Sequence, residues 1–169
     1  MEKCVSWDRR KGGADMQNVQ EKVRHMFVDS FTSVAEKIIG YSLEYSEEES
    51  DFPSVQNVKI NTVGTFRSSL YFSMDEEFEE AIFQAMAKNI VEKEELRELF
   101  IGEFINIISG HALTKINNFT GKTSYLTVPL VGKSVWEEQK EFPKKCTISL
   151  KSTCGKIRMD MSYECDILT

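Results

Sequence analysis

No apolar run in the sequence approaches the roughly 18 residues needed to cross a bilayer, and the N-terminal stretch MEKCVSWDRRKGGADMQ has no signal-peptide apolar segment. The chain is therefore read as cytoplasmic, with no membrane partner. Positive charge is not in excess either: 21 Lys and Arg stand against 27 Asp and Glu, for a formal charge of −6. That leaves no basic field to hold a phosphate backbone and argues against a nucleic-acid partner. Cys4, Cys146, Cys154 and Cys165 are scattered, form no C-x-x-C pair and have no pair of histidines near them to complete a metal set. Reduced, partly buried thiols are the expectation in that compartment. A phosphate-cradling glycine loop and a nucleophile triad are also missing.

What is present is one domain's worth of chain. The 169 residues are 41% apolar, enough to fill a single core. Residues 1–15 have no periodicity and read as a flexible N-terminal extension, with one domain over 16–169. From Asn18 to about Gly40, Val19, Val23, Phe27, Phe31, Val34 and Ile38 recur at steps of three and four, which predicts an amphipathic helix ending at glycine. SEEESDFP (46–53) reads as a solvated loop. VQNVKINTVGTFRSSLYFSM then reads as a hairpin turning near Gly64, its second arm alternating Phe66, Ser68, Leu70, Phe72. Asp75 is placed to cap a helix whose first turn is rich in carboxylates. A long helix from about Lys93 to Asn117 follows. TSYLTVPLVG (123–132) reads as a strand, with Pro129 confining it to an edge, an end or a bulge. The loop KSVWEEQKEFPKK leads to a last hairpin, CTISLKST and KIRMDMSYE, turning at Cys154 and Gly155. The order predicts an α+β fold, with two long helices and a further helix packed on a largely antiparallel sheet.

The two long helices also resemble each other. FVDSFTSV from Phe27 aligns with FIGEFINI from Phe100, which places Ser30 and Ser33 where the second helix has Glu103 and Asn106. A degenerate internal repeat of helix plus strands is one explanation, and similar composition in two amphipathic helices is the other.

The second of these helices carries the chemistry. At about 100° per residue, Leu99, Glu103, Asn106, Gly110 and Leu113 form one stripe, while Phe100, Phe104, Ile107 and Ile108 make the core face. Glycine in a helix interior costs roughly 1 kcal/mol relative to alanine, so Gly102 and Gly110 need a reason. One reading is close helix packing beside solvated surface residues. The other is a contact surface for a protein, with leucines for burial, Glu103 as a charge for Lys or Arg, and Asn106 as a group that both donates and accepts hydrogen bonds. His111 follows Gly110, off the stripe, and reads as an exposed or core-edge histidine.

E-x-x-N at Glu103 and Asn106, 22 residues before Pro129 and set in GEFINIISGHA, resembles the signature of the CheC/CheX/FliY chemotaxis phosphatases, the CheX branch most of all. The resemblance runs from about Met16 onward. It departs at Leu99, where CheC-type members often have Asp or Ser, and at Ser30 and Ser33, which leave a single site per chain. The resemblance implies an enzyme that hydrolyses the aspartyl phosphate of a CheY-like response regulator. Glu103 would pair with the regulator's lysine, Asn106 would orient the attacking water, and Leu99, Gly110 and Leu113 would line the docking surface. It further implies that this chain binds no metal, the Mg²⁺ being held by the regulator, and that two copies form a homodimer by joining sheets. A CheX-like module that binds a receiver or flagellar switch protein without hydrolysis is the alternative. An α+β domain with a small-molecule role is the third reading.

Overall fold

A computed structural model describes residues 14–46, 51–88, 94–132 and 141–166. Helix α1 (Ala14–Ile39) is followed by the short strand β1 (Glu44–Ser46) and the hairpin β2 (Gln56–Gly64) and β3 (Phe66–Met74). Helix α2 (Glu76–Met86), a 3₁₀ turn (Glu94–Leu96) and helix α3 (Arg97–Thr120) come next. The chain ends in β4 (Ser124–Leu126), β5 (Leu130–Val131) and the hairpin β6 (Lys144–Ser152) and β7 (Gly155–Cys165). All the described strand pairs are antiparallel. Three helices packed on an antiparallel sheet make the fold α+β, as the element order predicts.

The sheet runs β1-β6-β7-β3-β2-β4, with β5 also paired to β2. This order is a palindrome in the two halves of the chain. β3 and β7, the last strand of each half, pair at the centre, with Leu70 opposite Met161. The short strand after each long helix crosses to the other half: β1 pairs with β6 and β4 with β2. The topology therefore carries the internal repeat that the helix sequences suggested.

Alternation decides which face of the sheet meets the helices. Val58 and Ile60 on β2, Phe66, Leu70 and Phe72 on β3, and Ile157, Met159 and Met161 on β7 are buried with the inner faces of the helices. On α1 the predicted residues Val19, Val23, Phe27, Phe31 and Val34 are buried, but Ile38 is only half-buried and Ile39 takes its place in the core. The opposite face of the sheet carries polar groups and, along one side, exposed apolar side chains. There Arg67 binds Glu164 and Asp166 at 2.8 and 2.6 Å.

Asp75 caps α2 as its sequence position predicts. Its Oδ1 accepts the Phe78 N–H and its Oδ2 the Lys156 N–H, both at 3.0 Å, so one carboxylate ties the helix to the start of β7. Gly155, at φ +115°, lies so close that a Cβ there would come 2.5 Å from the Phe78 nitrogen.

Several details differ from expectation: the long helix runs Arg97–Thr120 and not from about Lys93 to Asn117, and the strand expected over 123–132 is the two short strands β4 and β5. The first helix begins at Ala14, within the stretch assigned to the extension; residues 1–13 lie outside the described residues, as does most of the loop before the last hairpin. Lys144 and Lys145, assigned to that loop, belong to β6. β1 was not expected, because three residues of mixed character show no alternation.

Candidate functional site

Helix α3 is anchored at both ends. At its start the Arg97 guanidinium lies 4.0 Å over the Phe83 ring and pairs with Glu94 and Glu80 at 2.7 and 2.9 Å, joining α3 to α2. At its end Gly121 closes the helix in the left-handed conformation. One turn earlier, the Asn117 side chain bonds both backbone groups of Ser124, which seats β4 beside the helix.

Between these anchors the outward side of α3 carries the predicted polar pair. Glu103 is exposed and Asn106 half-buried. Neither side chain has a hydrogen bond or ion pair among the described residues. Leu99 is 65% exposed and Gly110 is half-buried. Four of the five stripe residues thus share one accessible surface.

Leu113 does not join them. It is 5% exposed and belongs to the core. At about 100° per residue it lies some 20° beyond Asn106, on the side of the helix that packs in the core. Ile107 is corrected in the other direction. Assigned to the core face, it is 37% exposed, because it sits four residues after Glu103 and on the same row.

The two glycines separate. A Cβ on Gly102 would meet Val131 Cγ2 at 3.2 Å and Pro129 Cγ at 3.6 Å, so its absence lets the segment around Pro129 lie against the helix. At Gly110 a Cβ would make only ordinary contact, 3.6 Å from Leu126 Cδ1. Close packing accounts for Gly102, while Gly110, half-buried beside Leu126, has room for a Cβ.

The segment that fills this side is a bulged edge. Thr127 N–H bonds Asn61 O at 2.9 Å, and Leu130 is the partner of Lys59. Three steps along this segment therefore match two along β2, and the extra residue falls at Val128-Pro129. Pro129 occupies the bulge, one of the three places its missing N–H allows. Val128 is 80% exposed. Sequence reading missed Val128; the available signal was a β-branched residue held extended before a proline in an edge strand.

The corresponding place on α1 is closed. Ser30 is 0% exposed and donates to the Met26 carbonyl at 2.7 Å, with His111 Nδ1 3.2 Å from its oxygen. The Ser33 hydroxyl is buried and has no hydrogen-bond partner among the described residues. His111 itself is exposed at this α1–α3 seam, next to an ion pair between Lys115 and Asp29 that holds the Asp29 carboxyl below its ordinary range.

Cys146, Cys154 and Cys165 are free thiols, and burial pushes Cys146 and Cys154 upward. Among the described residues no group of three or more His, Cys, Asp or Glu comes together to hold a metal, and no helix is long and apolar enough to cross a membrane.

The same fold occurs in known chemotaxis proteins. The chemotaxis protein CheX from Desulfovibrio desulfuricans superposes with a TM-score of 0.69 at 17% identity, covering 85% of this chain and 99% of that one. The CheX chain in the CheX–CheY–BeF3–Mg²⁺ complex from Borrelia burgdorferi gives 0.64 at 16% identity, covering 84% and 97%. FliY from Thermotoga maritima gives 0.59 at 14%, covering 91% of each chain. No curated protein sequence matches the chain. The family model described as chemotaxis phosphatase CheX matches residues 57–148, a span that includes α3 and the Pro129 segment. The chain belongs to the CheX family of chemotaxis phosphatases.

Proposed function

We propose that this protein hydrolyses the aspartyl phosphate of a CheY-like response regulator, with Glu103 docking the regulator and Asn106 orienting the attacking water. The observation that carries the reading is the pair itself: a carboxylate and an amide, one turn apart on an accessible helix face, both without partners among the described residues. The CheX chain of the Borrelia burgdorferi complex, which shares the fold, binds CheY.

Phosphoryl transfer leaves little covalent work for a protein, and its rate depends on positioning and charge. An amide directs a water through its oxygen or nitrogen without setting a negative charge beside an anionic phosphoryl group, which aspartate would do. The Glu103 carboxylate offers a lysine of the regulator an ion pair that becomes partly desolvated on docking. Carboxylates of the regulator would hold the Mg²⁺, so the catalytic centre is completed only in the complex. In the same reading two copies join through their sheets. Val63, Tyr125 and Leu130, exposed along β2, β4 and β5 on the face away from α3, are apolar surface that such a contact would cover.

Timing phosphate release from a phosphorylated receiver tests the assignment. Asn106→Ala should lower the stimulated rate on the order of 10²-fold or more while binding largely survives. An unchanged rate at saturating receiver would sink it. Glu103→Ala should act mainly on affinity, and a monomer by sedimentation at micromolar concentration would remove the dimer.

A further inference from the structure

The row Gly102, Asn106, Gly110 runs along one side of α3 at steps of four. Gly102 lies against Pro129 and Val131, and Gly110 against Leu126. The chain from 126 to 131 therefore passes alongside this row, and its middle, Thr127 and Val128, comes level with Asn106. Asn106 thus lies in the floor of a shallow trough. The helix side of the trough is made by Leu99, Glu103 and Ile107, and the bulge raises Val128 on the other.

Three of the trough's exposed groups are apolar: Val128 at 80%, Leu99 at 65% and Ile107 at 37%. Val128 and Leu99 are mostly exposed, so neither is held there by the core. A small phosphate compound would be held by the polar groups and would gain little from apolar walls on both sides. A protein surface with an anionic centre, a cation beside it and apolar residues around it would use every group present. The backbone also holds Val128 ready. The residue before proline is confined to extended conformations, a valine side chain has few rotamers, and the bulge is clamped to β2 on both sides. Binding then orders little that is not already ordered.

We propose that Val128, together with Leu99 two helical turns before Asn106, is a specificity-determining contact for the phosphorylated receiver, a contact buried on docking that centres the receiver's phosphoryl group over Asn106. This rests on the phosphatase reading above. Gly102 is a positioning residue in the same device, since it sets how close the bulge comes to the helix.

The test uses the full chain and a CheY-like receiver domain phosphorylated with acetyl phosphate, comparing the parent with Val128→Ala, Val128→Asp and Asn106→Ala. Val128→Ala removes two methyl groups from the contact and should raise KM about tenfold with kcat within about twofold. Val128→Asp should raise KM further, because it sets a charge in an apolar wall and next to an anionic group. Both variants should melt with the parent, as an exposed side chain supports no core. If Val128→Ala leaves KM within about twofold while Asn106→Ala abolishes turnover, the inference is overturned and the phosphatase reading stands. Loss confined to kcat also overturns it, since that marks a displaced amide and not a lost contact. If Asn106→Ala turns over like the parent, or the parent releases no phosphate, both fall.

Discussion

Asp75 offers the most direct check on how the helices are tied to the sheet. Its two oxygens do separate work: Oδ1 accepts the Phe78 N–H at the start of α2, and Oδ2 accepts the Lys156 N–H on β7, each at 3.0 Å. Loss of a helix cap costs about 1 kcal/mol. A hydrogen bond to a charged group contributes about 1.5–3 kcal/mol, with the lower end fitting a carboxylate that is not fully buried. Asp75→Ala should therefore destabilise the protein by roughly 2–3 kcal/mol in urea unfolding. Asp75→Asn keeps the cap through its carbonyl oxygen but turns an amide donor toward the Lys156 N–H, and should cost roughly 1–2 kcal/mol. Gly155→Ala strains a backbone at φ +115° and forces a Cβ against both the Phe78 nitrogen and Asp75 Oδ1. Because part of that clash is with Asp75, the double variant Asp75→Ala, Gly155→Ala should lose less than the sum of the two single losses. Equal stability of Asp75→Asn and Asp75→Ala, or strict additivity in the double variant, would refute the account of a shared carboxylate.

Transplanting the site should fail: Ser30→Glu places a carboxylate where the native side chain is 0% exposed, so a loss of about 3–5 kcal/mol and no second active face are expected, measured by melting and phosphate release. Tyr163 is pushed up to about 12 by burial first and by the neighbouring Cys146 thiol second. Its protonated form is favoured by folding, so this contribution is intact below the unfolded value near 10 and is lost as pH rises toward 12. Tyr163→Phe should flatten the fall in melting temperature across that alkaline window. Arg97→Met should cost about 1–2 kcal/mol by loosening α3 from α2, and 1 M salt should erase only part of the difference, because stacking on Phe83 survives screening where ion pairs do not.

How much of this was legible in the sequence depends on what each residue's neighbours were. The α1 core and the Phe66 to Phe72 alternation could be read because helix and strand periods are local properties of the chain. The Asp75 cap was legible for the same reason, while its bond to Lys156 was not, since that partner lies 81 residues away. Glu103 and Asn106 stood out as polar residues in an apolar run. Their surroundings were harder. A straight stripe assigns Leu113 and Ile107 to the wrong sides because the buried arc of α3 is set by where β4 and β5 press on it, and the 124–131 segment joins the helix only in the folded state. Val128 was missed for a related reason: an apolar residue in an edge strand reads as core until the bulge at Pro129 shows which way the chain is turned.

The exchange of short strands between the halves means that the candidate site is not the property of the segment that encodes it. Glu103, Asn106 and Val128 all lie in the second half, yet β4 and β5 are attached to β2 of the first. A fragment beginning at α3 would keep every residue of the signature and lose the strand from which the bulge is suspended. Each half is in effect the template for the other's edge, and the two must be supplied together before either helix has a wall to face.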